Sequence, residues 1–306
     1  MAGVFDGFAT IVALIALGAV LAQLGVVDAA GQRTLSTLAF LVASPALLLS
    51  VLEDSDIGAV FSENLAAMAG AVVVSATPAL AAGVVRRRGL GDTVVGALCS
   101  SYQNAGNLGL PIAAYVLGDP ALVAPVLLLQ LLVLQPLALT LLDVDASTER
   151  LHLARILSRP VRNPITIGSL IGLLLAVTGT DLPSAVQDPL ELVGGMAVPA
   201  MLLAYGVSLR LGPLPGRGVP AGELALAVVL KMVVQPVAAY AIARFALGLD
   251  GDALLAVTVL SALPTAQNVF IIASRYDRET LLARDAIFVS TIASVPVIVA
   301  ITALVA

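Results

Sequence analysis

Amide side chains lie in the middle of two apolar stretches of this sequence, where few neighbours could satisfy them. The first stretch contains Asn104, Gly106 and Asn107, and Pro111 follows shortly after. Proline removes a backbone donor and clashes with the preceding turn, and glycine lowers helix propensity. We therefore expect a helix that is interrupted here, with backbone groups exposed to a cavity.

The second stretch repeats this chemistry, with Pro264 and Thr265 followed by Gln267 and Asn268. After each interruption a new helix N-terminus offers backbone donors, which suit an anion. The alternative is that the amides only join neighbouring helices. We expect an anionic substrate to contact both stretches through Asn104, Gly106, Asn107, Pro111, Pro264, Thr265, Gln267 and Asn268.

Lys231 is a charged residue inside a third apolar stretch. A charge at the centre of a bilayer costs about 2.5–3.5 kcal/mol on insertion scales, so such residues usually face the protein interior. Its partner is expected to be a backbone carbonyl, a substrate carboxylate or Asp285. Lys231 and Asp285 are candidates for charge neutralisation or ion coupling, and a structural lysine is the alternative.

The composition limits the class of protein. The chain has 306 residues, of which 59% are hydrophobic and 11% are charged, whereas soluble domains carry about 25% charged residues. The single cysteine and single histidine exclude an intramolecular disulfide and His-rich metal sites, so no metal or cofactor is predicted. A pI near 4.8 argues against binding to nucleic acid.

Apolar runs separated by polar breaks predict ten membrane spans, each close to the roughly 20 residues that a bilayer requires. In chain order, spans one to ten are Val4–Leu24, Thr34–Leu52, Leu65–Val85, Asp92–Leu117, Ala121–Leu142, Pro164–Val177, Leu190–Leu209, Glu223–Leu247, Asp252–Tyr276 and Leu281–Leu304.

Basic residues alternate between the connecting loops. All except Lys231 and Arg244 fall in odd-numbered loops, including Arg86, Arg155 and Arg284. Because basic loops stay in the cytoplasm, the sequence predicts a multi-pass protein of the cytoplasmic membrane with both termini extracytoplasmic.

The two halves of the chain resemble each other. Pro78 corresponds to Pro236, and Pro136 corresponds to Pro296, at a nearly constant separation. The predicted fold is all-α: a first five-helix repeat (1–142), a cytoplasmic linker (143–163) and a second, inverted repeat (164–306). Inverted repeats are typical of secondary transporters.

Two segments resemble the auxin efflux carrier family. The run from Asn104 to Pro111 is similar to the interrupted fourth helix of that family, and Ala262-Leu263-Pro264 is similar to the ninth. The resemblance covers the whole chain. One departure is Ile165, which stands where plant members have a polar residue; another is the third span, which lacks their acidic residue.

The resemblance implies a fold shared in outline with bile-acid sodium symporters. Spans one, two, six and seven would form a scaffold that makes a homodimer. Spans three to five and eight to ten would form a moving transport domain, in which the interrupted spans four and nine cross and Asn104 binds substrate. Bacterial members are linked to malate, malonate and similar acids.

These observations predict a secondary carrier of a small mono- or dicarboxylate that works by alternating access, with membrane lipid around it. Coupling to a proton or sodium ion is left open. One alternative is a sodium- or proton-coupled symporter or antiporter of another solute; a receptor or an intramembrane enzyme is more remote, since Ser100 and Ser101 have no nearby base in the sequence.

Overall fold

The computed structural model describes residues 2–53, 63–109, 112–113, 116–146, 164–180 and 182–305. These residues are helical apart from their connections and one isolated backbone bridge. The α-helices are α1 (Ala2–Gln23), α2 (Ala29–Leu38), α3 (Ser44–Glu53), α4 (Glu63–Val85), α5 (Leu90–Ser101), α6 (Ala124–Leu129), α7 (Gln135–Ala146), α8 (Pro164–Thr178), α9 (Ser184–Gly195), α10 (Ala197–Leu211), α11 (Ala221–Val229), α12 (Gln235–Ala241), α13 (Gly251–Ser261), α14 (Gln267–Tyr276) and α15 (Thr280–Val305).

Short π-helical turns join several of these helices into longer rods. They are Ala39–Ala43 between α2 and α3, Gln130–Leu134 between α6 and α7, Leu230–Val234 between α11 and α12, and Ile242–Ala246 after α12. Such turns often occur at functional sites.

Six continuous helices among the described residues are long and apolar enough to cross a membrane. They are Ala29–Ser50, Glu63–Val85, Pro125–Ala146, Ser184–Leu211, Ala221–Ala246 and Thr280–Val305. Val12–Gln23 and Gly251–Ser261 are shorter apolar helices. The chain is therefore a multi-pass helical protein, and the total of ten spans stays a prediction.

Local sequence explains where several helices begin. The Asp28 side chain accepts a hydrogen bond from the Gly31 amide at 2.8 Å and caps α2. Pro164 begins α8, where its missing N–H costs nothing. The predicted start of span seven at Leu190 is wrong, because the helix begins at Ser184 with a polar first turn that the apolar pattern does not include.

Two sets of helices pack mainly within themselves. In the first set (α1–α3 and α8–α10), α1 packs on α10, and α8 and α9 pack on α3. In the second set (α4–α7 and α11–α15), α4 packs on α5 and α12, while α13 and α14 pack on α15. The sets meet where α14 contacts α2 and α10.

Glycines allow the closest approach within the first set. Gly206 of α10 lies against the carbonyl oxygen of Ile15 in α1, and Gly18 of α1 lies against the backbone of α10. Gly168 and Gly172 of α8 lie in the same way against carbonyls of α3. A side chain at any of these positions would overlap backbone atoms, so these helix pairs depend on glycine.

An ion pair at the start of α15 is completely buried. Arg284 contacts Oδ1 of Asp285 through Nε at 2.7 Å and through Nη2 at 2.6 Å, and both side chains are 0% exposed. Counting Arg284 among the loop residues was therefore wrong, because it lies within the helix and points into the protein. Tyr205 of α10 donates its hydroxyl hydrogen to the Arg284 carbonyl at 2.8 Å, which joins the two helix sets.

Candidate functional site

The interruptions of two helices meet in the middle of the second set. α5 ends at Ser101, where Tyr102 becomes extended, and α13 ends at Ser261 before α14 begins at Gln267. Gln103 and Thr265 form an antiparallel bridge. The two extended segments thus pair backbone to backbone instead of continuing as helices. We call this pairing of residues 102–104 with residues 264–266 the crossing.

Hydrogen bonds on either side extend this pairing. The Asn104 amide donates to the Pro264 carbonyl at 2.8 Å, and the Ala266 amide donates to the Tyr102 carbonyl at 3.1 Å. Pro264 has no N–H to donate, so its place in the crossing leaves no donor unsatisfied.

Neutral side chains satisfy the carbonyls that the end of α5 leaves free. Thr265 Oγ1 donates to the Cys99 carbonyl at 2.7 Å, and Gln235 Nε2 donates to the Ser101 carbonyl at 3.0 Å. Gln130 Nε2 donates to the Gln103 carbonyl at 2.7 Å. Such partners are required because a buried carbonyl without one costs about 1–3 kcal/mol.

A cavity of about 300 Å³ lies beside this crossing. Its apolar walls come from both helix sets and include Phe40, Leu131 and Met201. Its polar lining is Ser44, Tyr102, Gln103, Asn104, Gln130, Gln135, Gln267 and Asn268. No charged side chain is among the described lining residues, so a ligand here meets amides and hydroxyls.

Polar atoms of two lining residues have no hydrogen-bond partner among the described residues. Gln103 Nε2 and Asn268 Oδ1 are buried and have no hydrogen-bond partner among the described residues. Tyr102 is fixed behind them, because its hydroxyl donates to Gln135 Oε1 at 2.9 Å and lies 3.5 Å from Asn268 Nδ2. The wall of the cavity therefore contains one buried donor and one buried acceptor that have no partner among the described residues.

The structure brings together half of the predicted substrate-binding residues as cavity lining: Asn104, Gly106, Gln267 and Asn268. Pro264 and Thr265 are buried in the crossing itself. Asn107 belongs to the π-helical turn Ala105–Gly109, but its side chain lies outside the described residues, as does Pro111.

Lys231 and Asp285 are not partners in the structure. Lys231 is 0% exposed, and its Nζ donates to the Ser261 carbonyl at 3.1 Å. Asp285 instead pairs with Arg284 and accepts from the Gly216 amide at 2.8 Å. Of the three partners considered for Lys231, a backbone carbonyl is the one that it contacts.

Sequence reasoning did not single out the three glutamines Gln130, Gln135 and Gln235, which hold the crossing from outside. Gln130 and Gln135 lie within the predicted fifth span, and Gln235 lies within the eighth. The sequence could have identified them, because a side-chain amide within a membrane span needs a hydrogen-bond partner, as was argued for Asn104.

A charged cluster (Arg86, Arg88, Glu223 and Glu279) closes one end of the second set. Arg88 contacts Glu223 at 3.1 Å and also pairs with Glu279. Burial raises the pKa of the Glu279 carboxyl above its usual value, and the nearby Arg88 offsets this in part. In the described part of the chain, no group of three or more His, Cys, Asp or Glu residues could hold a metal ion.

Two interrupted helices that cross beside a buried cavity, in a multi-pass helical protein, are the arrangement of membrane transport proteins. Residues 4–302 match the family described as membrane transport protein, and the chain belongs to this family. The resemblance to auxin efflux carriers that the motifs predicted is thereby confirmed.

Several curated relatives are similar to this chain. A Rhizobium meliloti (strain 1021) protein named "Putative malonate transporter" is 26% identical over 69% of this chain and 67% of its own length. An "Uncharacterized transporter" of Methanothermobacter thermautotrophicus is 27% identical over 93% of each chain. Auxin efflux carrier component 4 of Arabidopsis thaliana is 30% identical over 45% of this chain and 23% of its own length. These relatives are named as transporters or carriers.

Proposed function

We propose that this protein is a secondary carrier of a small organic anion, which binds in the cavity beside the crossing of α5 and α13–α14. The observation that carries the proposal is the uncharged, amide-lined cavity at the N-terminus of α14, in whose wall Gln103 Nε2 is buried and has no partner among the described residues. Helix N-termini and amide donors favour a carboxylate.

Alternating access follows if the two helix sets move relative to each other. The first set would be the scaffold, and its glycine contacts support a rigid body. The second set, which contains the crossing, would carry the substrate across the membrane. Each set would draw helices from both of the inverted five-helix repeats, which the linker joins. A homodimer would form through the scaffold within the lipid bilayer.

The residues that line the cavity should favour some carboxylic acids over others. Amide donors would hold one carboxylate, while Phe40, Leu131 and Met201 would cover an apolar body. A second carboxylate would meet no cationic side chain among the described lining residues. We therefore expect a monocarboxylate to bind more tightly than malonate, although malonate appears in the name of one relative.

A thermal-shift screen of the purified protein tests this proposal. Hexanoate and malonate are the charged probes, and hexanamide is the matched neutral control. Stabilisation by hexanoate but not by hexanamide is expected, because a ligand that binds the folded state raises the melting temperature. No response to any carboxylate would contradict the proposed site.

Uptake of radiolabelled hexanoate into proteoliposomes, measured above the passive uptake of protein-free vesicles, then separates a carrier from a receptor. A carrier produces flux down an imposed gradient, and it exchanges labelled for unlabelled acid across the membrane. Binding without flux or exchange would leave a receptor on the same fold. A chemically altered acid inside the vesicles would instead indicate an enzyme.

A further inference from the structure

The last carbonyls of the two interrupted helices accept hydrogen bonds from different kinds of side chain. The end of α5 is satisfied by neutral donors, among them Gln235 Nε2, which lies 3.0 Å from the Ser101 carbonyl. The end of α13 is satisfied by Lys231 Nζ, 3.1 Å from the Ser261 carbonyl. Lys231 and Gln235 are four residues apart on one rod, so a single segment holds both ends.

Lys231 makes no ion pair within the described part of the chain. Its side chain is nevertheless 0% exposed. A buried charge needs a compensating field, and the carbonyl end of a helix carries roughly half a negative charge. Ser261 adds to this environment, because its buried Oγ has no hydrogen-bond partner among the described residues.

A short path connects this charge to the cavity. Gln235 lies one helical turn from Lys231, and its Nε2 is 3.2 Å from Oε1 of the lining residue Gln103. The ammonium thus stands behind the crossing and outside the lining. It is placed to favour an anion in the cavity without contacting it.

We propose that Lys231 is a tethered cation, which takes the place that a free monovalent ion would otherwise fill at the carbonyl end of α13. Substrate capture then needs no dissolved cation. The part of this proposal that concerns capture rests on the proposed carrier function, whereas the occupancy of the end of α13 does not. Lys231 is a positioning residue in this scheme.

Cation-dependent melting tests the site without any substrate. Lys231→Ala removes the ammonium and leaves a space beside Ser261 that ethylammonium or sodium could enter, whereas Lys231→Met fills the space without charge. The Lys231→Ala protein should be stabilised saturably by ethylammonium or sodium chloride over choline chloride, by about 3 °C or more. Wild type and Lys231→Met should not respond.

Gln235→Leu is the matched control, since it removes a neutral donor from the other interruption. It should melt at a lower temperature than wild type and show no cation response. A Lys231→Ala protein that stays monodisperse but responds to no cation would overturn the proposal. Sodium-dependent melting of the wild type would overturn it as well, even if Lys231→Ala does not fold.

The second arm uses hexanoate, provided that this acid passes the carboxylate-over-carboxamide comparison. Wild type should bind it equally, within about twofold, in sodium and in choline chloride, and Lys231→Met should bind at least about tenfold more weakly. Unchanged affinity in Lys231→Met would show that the charge has no part in capture. If no acid binds at all, the carrier proposal fails while the melting experiment still reports on Lys231.

Discussion

The backbone amide of Gly216 donates to Oδ2 of Asp285 at 2.8 Å. The connection between α10 and α11 is thereby held on a buried carboxylate whose other oxygen pairs with Arg284. Since both charged side chains are fully buried, neither can exchange its partner for water. This contact couples the loop to α15.

Asp285→Asn should therefore destabilise the protein strongly. The change leaves Arg284 charged and buried without its counterion, which typically costs about 3–5 kcal/mol of unfolding free energy. Thermal or denaturant melting in detergent measures the loss. Asp250→Asn is the control, because Asp250 is exposed and its side chain caps no helix. The double variant Arg284→Met with Asp285→Asn should regain part of the stability, and failure to do so would argue against charge burial as the cause.

Asn104→Ala should weaken binding of the carboxylate that the screen identifies by about ten- to a hundredfold, the range expected when a hydrogen bond to a charged group is lost. The crossing should survive, because Asn104 joins it through its backbone amide. Isothermal titration and melting of the same preparation separate the two effects. Asn64→Ala, outside the cavity lining, serves as the control. Wild-type affinity in Asn104→Ala would mean that this amide serves only packing.

Gly206→Ala should lower stability by about 1–3 kcal/mol, because its Cβ would overlap the Ile15 carbonyl and force α1 and α10 apart. Gly195→Ala is the control, and we expect no loss of stability from it, since a Cβ there meets nothing within 4 Å. Alanine raises helix propensity, so that variant should be neutral or slightly more stable. Equal melting temperatures for the two variants would contradict the packing argument.

Both termini should be extracytoplasmic, because most of the basic residues lie in the odd-numbered loops. An alkaline phosphatase fusion after Ala306 should be active, and a green fluorescent protein fusion at the same position should be dark. The opposite pair of results would mean that one predicted span is missing or extra.

The positions of the two interruptions could be predicted because their cause is local. Pro264 and the glycines near Asn104 disfavour a helix wherever they occur, so the sequence itself marks the places. Their meeting in space was implied by the resemblance to the auxin efflux carrier family. What could not be predicted is the bridge between Gln103 and Thr265, since backbone pairing across the chain leaves no mark on residue type.

The burial of Arg284 could not be predicted for a related reason. Its position near a helix start, among other basic residues, is typical of a cytoplasmic loop next to a membrane span. The adjacent Asp285 and the carbonyl-directed hydroxyl of Tyr205 make burial possible. Tyr205 comes from a distant part of the chain, so the sequence around Arg284 does not predict this contact.

The uncharged lining of the cavity has a consequence for the way in which ligand binding depends on pH. Tyr102 is the one titratable group among the described lining residues, and tyrosine ordinarily ionises near pH 10. Between about pH 5 and pH 8 the lining therefore keeps one protonation state. Within this range the lining itself adds no titration to capture, so the ionisation of the ligand should contribute a midpoint that moves with the acid dissociation constant of each acid tested.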